Sequence, residues 1–335
     1  MNHPKISVVL PVKNGAEYLS SALNGIENLN FDSWEIVVID DGSVDNTREL
    51  LLNWSATTSV ACTVLTNTTS HGVALARNAA VAEASGEFIW FVDGDDSWSP
   101  DILAHLWGGV STPEVDMVVC DARRVVSKTG HSSSICDAPR NETITGQEAL
   151  RRVLRGELQG HLWNKIIRRA RLQECPFPDL TAHSDLAGVV RLLLSTSRVV
   201  FVPGAKYSYD VRDGSIIQSA EYKWSNLVRC AEVAGEALME KGLESQVADE
   251  FRFFTWSHVM IPAANNVLTS ATPDISIIPY RDSITTSMLI ASWRQNRRTM
   301  TLKAAALRWS PRLYGLIYRR YHAKKWGLAP LGEMS

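Results

Sequence analysis

The sequence predicts an α/β fold, in which a mainly parallel sheet is flanked by helices and followed by a helical C-terminal extension. Short apolar, β-branched runs alternate with helical patterns over the first 125 residues, and repeated β-α units of this length form parallel sheets covered by helices. From about residue 221 the pattern is helical only. At 335 residues the chain can form one large domain or two smaller ones, so we expect domains at 1–218 and 219–335.

The first half of the predicted domain contains four β-α units and a fifth strand. Its opening run, Ile-Ser-Val-Val-Leu-Pro-Val, has the continuous apolar character of a buried parallel strand. Asp45 is a good N-cap for the second helix, and Pro100 suits the first turn of the fourth. The predicted strands are 6–12, 35–39, 62–65, 88–92 and 117–120, and the predicted helices are 16–28, 45–54, 72–84 and 100–107.

The second half, 126–218, is less regular. Residues 126–145 are polar and serine-rich, which predicts an irregular excursion or a loose hairpin. The later predicted elements of this half are a helix at 147–155, a strand at 164–168, an apolar helix at 186–194 and a strand at 199–203. In the C-terminal extension the predicted helices are 227–239 and 247–259.

Polar clusters follow the first, second and fourth strands: Lys13-Asn14-Gly15, Asp40-Asp41-Gly42-Ser43 and Asp93-Gly94-Asp95-Asp96. Ligands of open α/β sheets bind beyond the carboxyl ends of the strands, so these clusters point to one crevice. Three carboxylates within four residues repel one another, and their oxygens suit Mg²⁺ or Mn²⁺. The alternative for the third cluster is an acidic surface turn.

Composition narrows the class of protein. No run of 18 apolar residues is present, and the chain enters a strand pattern at Ile6, so we expect neither a membrane span nor a secretory signal. The five cysteines are scattered without a C-x-x-C pair, which favours the reducing cytoplasm and argues against a zinc site. No G-x-G-x-x-G follows the first strand, which argues against an NAD-dependent oxidoreductase.

Four motifs match a known family in order and spacing: Val-Val-Leu-Pro-Val-Lys-Asn at 8–14, Ile-Val-Val-Ile-Asp-Asp-Gly-Ser at 36–43, Gly-Val-Ala-Leu-Ala-Arg-Asn at 72–78 and Phe-Val-Asp-Gly-Asp-Asp at 91–96. With them the chain resembles the family 2 type glycosyltransferases of GT-A fold, over residues 1–215. Trp163-Asn164-Lys165, Ser184-Asp185 and Tyr207-Ser208-Tyr209, with Arg212 and 214–216, resemble bacterial members that build surface polysaccharides. The chain departs from the family pattern at Lys13, where an aromatic is frequent, and at Ser184, where a glutamate is frequent.

The resemblance implies an inverting, metal-dependent transfer of a sugar from a nucleotide diphosphate, expected to be UDP, to a saccharide or lipid-linked hydroxyl. It implies that Asp95 contacts Mn²⁺ or Mg²⁺ and that Asp93 contacts the metal or the ribose. Asp40 would accept a hydrogen bond from the base, its alternative being a turn satisfied by the Gly42 and Ser43 amides. The remaining expected donor contacts are Pro11, Val12, Asn14, Gly94 and Arg77.

Asp185 is the candidate catalytic base, because direct displacement needs one carboxylate near the acceptor hydroxyl. Its alternative role is the N-cap of the apolar helix that follows, and His183 is the alternative base. Asp41 is expected to hold the N-terminus of the following helix. Asp96 is expected either to support the metal ligands or to cap the helix near Pro100. Residues 163–165 shape the acceptor pocket or belong to the core.

The C-terminal region carries a basic tail. Residues 294–325 contain ten Lys or Arg and no Asp or Glu, interleaved with Trp, Tyr and Leu. This pattern predicts an interfacial helix over 294–326 on the anionic cytoplasmic face of a membrane. The alternatives are docking on residues 1–293, which carry a net charge of −11, and a subunit interface. Nucleic-acid binding is disfavoured because no recognised module accompanies the charge.

Two other functions are compatible with the motifs. One is a catalytically silent nucleotide-sugar-binding scaffold in a polysaccharide assembly, against which the intact acidic residues argue. The other is a sugar nucleotidyltransferase, although the glycine-rich basic loop usual after the first strand of that class is missing here.

Overall fold

A ten-stranded mixed sheet organises the first part of the described chain. The computed structural model describes residues 4–126, 130–135, 137–211, 225–262, 264–265, 281–282, 284–294 and 297–326. The chain forms two compact units, Met1–Tyr222 and Lys223–Ser335. The predicted boundary near 218, with Arg212 and 214–216, lies outside the described residues.

The elements of the first unit follow the predicted alternation. The strands are β1 Ile6–Val12, β2 Trp34–Asp41, β3 Cys62–Asn67, β4 Phe88–Phe91, β5 Ser97–Trp98, β6 Val115–Val126, β7 His131–Ile135, β8 Glu142–Thr145, β9 Lys165–Arg168 and β10 Arg198–Val211. The helices are α1 Leu19–Glu27, α2 Thr47–Ser55, α3 Val73–Glu83, α4 Ile102–Trp107, α5 Gly146–Leu154, α6 Arg169–Glu174 and α7 Ser184–Leu193.

The strand order is β3-β2-β1-β4-β9-β6-β10-β5, with β7 paired to β6 and β8 to β10. Pairing is parallel across β3-β2-β1-β4 and between β6 and β10. The antiparallel pairs each involve β5, β7, β8 or β9. The predicted mixed α/β sheet flanked by helices is confirmed.

The core explains why these segments form strands and helices. Strands β1 and β4 are apolar and buried along nearly their whole length, as strands covered on both faces must be. Helix α1 buries one stripe with helical spacing against them, Leu19, Ala22, Leu23 and Ile26. The carboxyl ends of β1, β2 and β4 therefore emerge from a rigid base.

Several local predictions differ from the structure. Helix α2 begins at Thr47, and Asp45 accepts hydrogen bonds from the Thr47 amide and hydroxyl from just outside it. Pro100 precedes α4, whose N-cap position is Asp101. The serine-rich segment contains β7, antiparallel to β6, so a hairpin was the right alternative.

The described part of the second unit is helical. Its helices are α8 Ser225–Glu240, α9 Ala248–Phe254, α10 Thr286–Arg294, α11 Arg298–Trp309 and α12 Pro311–Trp326, with a π-helical segment, Thr255–Met260, after α9. Trp256, Leu307 and Tyr314 lie in one hydrophobic cluster of this unit. The basic tail is not one helix, because Ser310 interrupts it. Within the described residues, no helix has the length and apolarity needed to cross a bilayer.

Candidate active site

The loops after β1 and β2 are bonded to each other. Asn14 adopts a positive φ of 49°, and its Oδ1 accepts a hydrogen bond from the Val44 amide at 2.9 Å. The Asn14 amide donates to Ser43 Oγ at 2.9 Å, and the Gly15 amide donates to Thr47 Oγ1 at 2.8 Å. Two of the three predicted polar clusters are thus brought together at one edge of the sheet.

The end of β1 presents mainly backbone to that edge. Val12 pairs with Asp40 in the parallel ladder, and its side chain is buried in the core cluster. Pro11 is half-buried, whereas Lys13 and Asn14 are exposed. Val12 can therefore contribute to a donor pocket only through its backbone.

Asp40 is fully buried and both of its carboxylate oxygens have protein partners. Oδ1 accepts from the Ser43 amide at 3.0 Å, and Oδ2 accepts from Arg48 Nε at 2.9 Å. The turn contact to Ser43 was the alternative considered from the sequence. The ion pair with Arg48 was missed, and its only sequence signal is a basic residue in the first turn of the helix that follows.

Asp41 anchors the loop that leads into α3. Its carboxylate accepts four hydrogen bonds of 2.7 to 2.9 Å, from Asn67 Nδ2, Ser70 Oγ and the His71 and Gly72 amides. Burial raises the pKa of Asp41, but the four hydrogen bonds outweigh it and hold the pKa below the usual carboxyl value. Asp41 is structural as expected, but it holds the segment before α3 rather than the start of α2.

The acidic loop after β4 has a buried cation beside it. Arg77 Nη2 lies 3.3 Å from Asp93 Oδ1, and the Arg77 guanidinium lies 6.0 Å from the Phe91 ring centroid. Arg77 Nε is buried and makes no hydrogen bond to the described residues. Arg77 thus contacts the acidic loop through Asp93, and its buried Nε–H has no hydrogen-bond acceptor among the described residues.

Two other carboxylates act on Asp93 of this loop. Burial raises the pKa of Asp93, Arg77 opposes that shift, and the negative charges of Asp95 and Asp185 add to it. Asp185 is 90 or more residues away in sequence, so the fold has brought the candidate base to the acidic loop. Within the described residues, no three Asp, Glu, His or Cys side chains are arranged to hold a metal alone.

The donor set nevertheless fits a hard divalent cation. Mg²⁺ and Mn²⁺ are commonly held by one or two carboxylates with phosphate oxygens and water completing the shell. Asp93 and Asp95 supply two carboxylates whose mutual repulsion a cation would relieve. Gly94 between them is buried, and a Cβ there would lie 3.1 Å from the Tyr18 ring, which keeps this loop close-packed.

Asp96 points away from this crevice into the protein. It is 9% exposed, and it accepts hydrogen bonds from Tyr207 Oη at 2.7 Å and from the Asp210 amide at 2.9 Å. Burial and the charge of Asp93 raise the pKa of Asp96 to about 8, against the effect of those two hydrogen bonds. Of the two roles expected for Asp96, capping the helix near Pro100 is wrong because its bonds go to β10, and supporting the metal ligands stays a prediction.

The helix bearing Asp185 starts at Ser184, two residues earlier than expected. His183 occupies the N-cap position with a φ of 60°, and Asp185 lies in the first turn. Asp185 Oδ1 accepts from the Leu186 amide at 2.8 Å. Asp185 is therefore not the N-cap. Burial lowers the pKa of His183, against the effect of the Asp185 charge.

Residues 163–165 are core residues. Asn164 and Lys165 are fully buried, and the Lys165 Nζ donates to the Asn164 side chain and the His161 carbonyl, both at 2.7 Å. Trp163 is 5% exposed and stacks on Tyr207 at 4.7 Å between ring centroids. Of the two roles considered for this segment, the structure supports the core, and direct acceptor contact by Asn164 or Lys165 is excluded by their burial.

The sequence that builds this site matches the model of a known protein family. Residues 7–176, just over half of the chain, match the model described as Glycosyl transferase family 2. The chain belongs to glycosyltransferase family 2. The matched region contains the loops after β1, β2 and β4, and it ends before Asp185 and β10.

Other members and solved structures resemble this family 2 chain at low identity. It is 25% identical over 228 residues to the putative glycosyltransferase EpsH of Bacillus subtilis, covering 67% of this chain and just under two thirds, 65%, of EpsH. The crystal structure of S. aureus TarS 1-349 in complex with UDP-GlcNAc superposes with a TM-score of 0.70 at 19% identity, covering 97% of this chain and 92% of TarS.

A mannosyltransferase from Pyrobaculum calidifontis, solved with GDP-Man and Mn²⁺, has a TM-score of 0.52 at 18% identity over 92% of this family 2 chain and 88% of its own. At these identities the likenesses establish the fold. The predicted GT-A architecture is confirmed.

Proposed function

We propose that this family 2 protein is an inverting, metal-dependent glycosyltransferase that moves a sugar from a nucleotide diphosphate to a hydroxyl group. One observation carries the proposal. Asp185, on α7, lies close enough to the acidic loop for its charge to act on Asp93. A single displacement requires a base on the acceptor side and a cation on the leaving-group side, and Asp185 and the acidic loop would supply these two parts.

The donor is proposed to be a UDP-sugar bound at the edge formed by the β1, β2 and β4 loops. The TarS complex, with UDP-GlcNAc on the same fold, supports this choice. Asp93 and Asp95 would hold Mn²⁺ or Mg²⁺, and a cation there would neutralise the charge that develops on the departing diphosphate. The mannosyltransferase bound to Mn²⁺ supports the metal.

Arg77, Asp185 and Asp40 have separate roles in the proposed reaction. Arg77 orients Asp93 and balances its negative charge. Asp185 accepts the proton of the acceptor hydroxyl while the hydroxyl oxygen attacks the anomeric carbon and the bond to the diphosphate breaks. The nucleobase of the donor would hydrogen-bond to Asp40 only by displacing Arg48 or the Ser43 amide from the Asp40 carboxylate oxygens.

The acceptor is proposed to be a saccharide, lipid-linked, in cell-surface polysaccharide synthesis. The basic C-terminal helices support a membrane location. Helix α12 exposes one apolar stripe of helical spacing, with each side chain 52 to 59% exposed: Leu313, Leu316, Ile317 and Tyr321. Arg312 and Arg320 are exposed beside it. We propose that this stripe, with its flanking arginines, rests on the anionic cytoplasmic leaflet.

Thermal stabilisation of the purified protein tests the donor and the metal together. UDP, GDP, dTDP and CDP are each added with and without Mn²⁺, since a ligand that binds the folded state raises the melting temperature. The proposal expects a Mn²⁺-dependent rise with UDP, lost in Asp95→Asn and kept in the control Asp32→Asn, whose residue is exposed and precedes the amino end of β2.

The other outcomes have definite meanings. A Mn²⁺-dependent rise with a different nucleotide would correct the base alone. Binding without hydrolysis or transfer across an acceptor panel would indicate the silent scaffold. No rise with any nucleotide, in folded protein, would refute the proposed function.

A further inference from the structure

Tyr207 of β10 is a fully buried tyrosine at the back of the acidic loop. Its ring stacks on Trp163 at 4.7 Å and 7°, and on Trp98 at 6.1 Å and 21°. The ladder places it beside Trp98 of β5 and Ala122 of β6. The ring is therefore held in one position by the core.

The hydroxyl of this fixed ring reaches both ends of the acidic loop. Tyr207 Oη donates to Asp96 Oδ2 at 2.7 Å and accepts from the Asp93 amide at 3.3 Å. The Asp96 amide donates to the Asp93 carbonyl at 3.2 Å, which closes the turn, and Asp96 Oδ1 accepts from the Asp210 amide. One oxygen atom thus joins the start of the turn to its end.

These bonds oppose the electrostatic repulsion between the two carboxylates of the loop. Asp93 and Asp95 carry like charges and, free to move, their carboxylates would separate. A cation that needs both must bring them back together, and its affinity falls by the free energy of doing so. A turn clamped at both ends makes this reorganisation unnecessary.

We propose that Tyr207 and Asp96 form a positioning pair that holds the Asp93 and Asp95 carboxylates in the arrangement that binds the divalent cation. The inference rests on the proposed function and adds to it two residues from outside the metal-binding set. Both residues are buried, and both act through the turn.

The test measures Mn²⁺ affinity and loop order, not turnover. Tyr207→Phe keeps the stacked ring and removes only the hydroxyl. We expect its dissociation constant for Mn²⁺ in the presence of UDP to rise about tenfold, as for other residues that orient metal ligands. In the metal-free protein we expect faster hydrogen exchange at the Asp93 and Asp96 amides.

Tyr314→Phe is the matched control. It also removes a buried tyrosine hydroxyl with a hydrogen bond, 2.6 Å to Asn265 Oδ1, but in the second unit. Its Mn²⁺ affinity should equal that of the wild type even where its melting temperature falls. Asp96→Asn gives a second route: it should reproduce the loss, and the double variant should lose little more than either single one, because the two residues act as one unit.

Two failures are distinguishable. Wild-type protein that binds no Mn²⁺ with UDP would overturn the proposed function and this inference with it. Wild-type protein that binds Mn²⁺ with UDP, beside a Tyr207→Phe variant with unchanged affinity and unchanged exchange at the loop, would overturn the inference alone.

Discussion

Arg77 Nη2 lies 3.3 Å from Asp93 Oδ1, so this buried guanidinium is the counter-ion of the acidic loop. Arg77 was expected to contact the base or a phosphate directly. Its position makes it a regulator of the charge on Asp93, because it opposes the shift that burial and the neighbouring carboxylates impose on the Asp93 pKa.

Replacing Arg77 should make metal binding more sensitive to acid. Without Arg77 the pKa of Asp93 rises further, and a protonated carboxyl does not bind a cation. Arg77→Met should therefore weaken Mn²⁺ binding more at pH 6 than at pH 8, by a factor of about ten at the lower pH. Titrations of Mn²⁺ with UDP at the two pH values measure this.

Arg140→Met is the control for Arg77, because Arg140 also has a 3.3 Å ion pair with a carboxylate, Glu142, but an exposed one. It should leave both titrations unchanged. Equal loss of affinity at pH 6 and pH 8 in Arg77→Met would contradict the role given to Arg77.

Asp185→Asn should separate chemistry from binding. The amide cannot accept the acceptor proton, so we expect the transfer rate to fall by about 10² to 10⁴ while the nucleotide and Mn²⁺ still stabilise the protein. Single-turnover transfer and thermal stabilisation are measured on the same sample. Asp179→Asn, at an exposed position shortly before α7, serves as the control. Retained transfer would eliminate Asp185 as the base and direct attention to His183.

Asp41→Ala should destabilise the first unit. The change leaves four hydrogen-bond donors of the loop before α3 without their acceptor, and we expect a loss of about 3 kcal/mol in the free energy of unfolding. Denaturant unfolding measures it, with Asp32→Ala at an exposed site as the reference.

The cost of Asp41→Ala should also depend on pH. Because the folded-state pKa of Asp41 is lowered, its contribution is complete above the unfolded value of 3.8 and is lost as the pH falls through the folded value. The difference between wild type and variant should shrink below about pH 4. A constant difference down to pH 2 would mean that the neutral carboxyl holds the loop equally well.

The apolar stripe of α12 should govern binding to anionic vesicles. Burying a leucine or isoleucine stabilises by about 1.5 to 3 kcal/mol, so Leu316→Ser with Ile317→Ser should weaken sedimentation with phosphatidylglycerol vesicles at least tenfold. Leu52→Ser, at a 50% exposed leucine of α2, is the matched control.

Two results would refute membrane contact. One is equal binding of wild type and double variant to these vesicles. The other is a change in oligomeric state, measured by light scattering, that accompanies the double variant, since the stripe would then be a subunit interface.

Much of the first unit could be predicted because its strands carry their own signal. β1, β2 and β4 are continuous apolar runs that end in polar clusters, and the structure joins the first two clusters through Asn14. β5, with two residues, is too short to show a period, and β8, Glu-Thr-Ile-Thr, has a single apolar residue. The insertion of β9 between β4 and β6 depends on pairing over long sequence separations, which local patterns do not encode.

The candidate site was also only partly predictable from the sequence. The acidic cluster Asp93, Asp95 and Asp96 predicts a cation site, because neighbouring carboxylates repel one another. The separate roles of Asp93 and Asp95 followed from the family resemblance. The partners of Asp40 and Asp96 could not be predicted from the sequence. Arg48 of α2 donates to Asp40, and Tyr207 donates to Asp96 from 111 positions away. Of the two roles considered for Asp96, only the helix cap is wrong, because its partners lie on the distant strand β10.

The contact between Tyr207 and the acidic loop also bears on how the protein is made. All the donor motifs lie in the first hundred residues, yet the turn that carries Asp93 and Asp95 is completed by a strand from the other end of the unit. A nascent chain released only as far as α4 carries every donor motif without the Tyr207 clamp. The first hundred residues are therefore not a transplantable module, and a fusion or truncation that ends before β10 separates the donor loop from the strand that orders it.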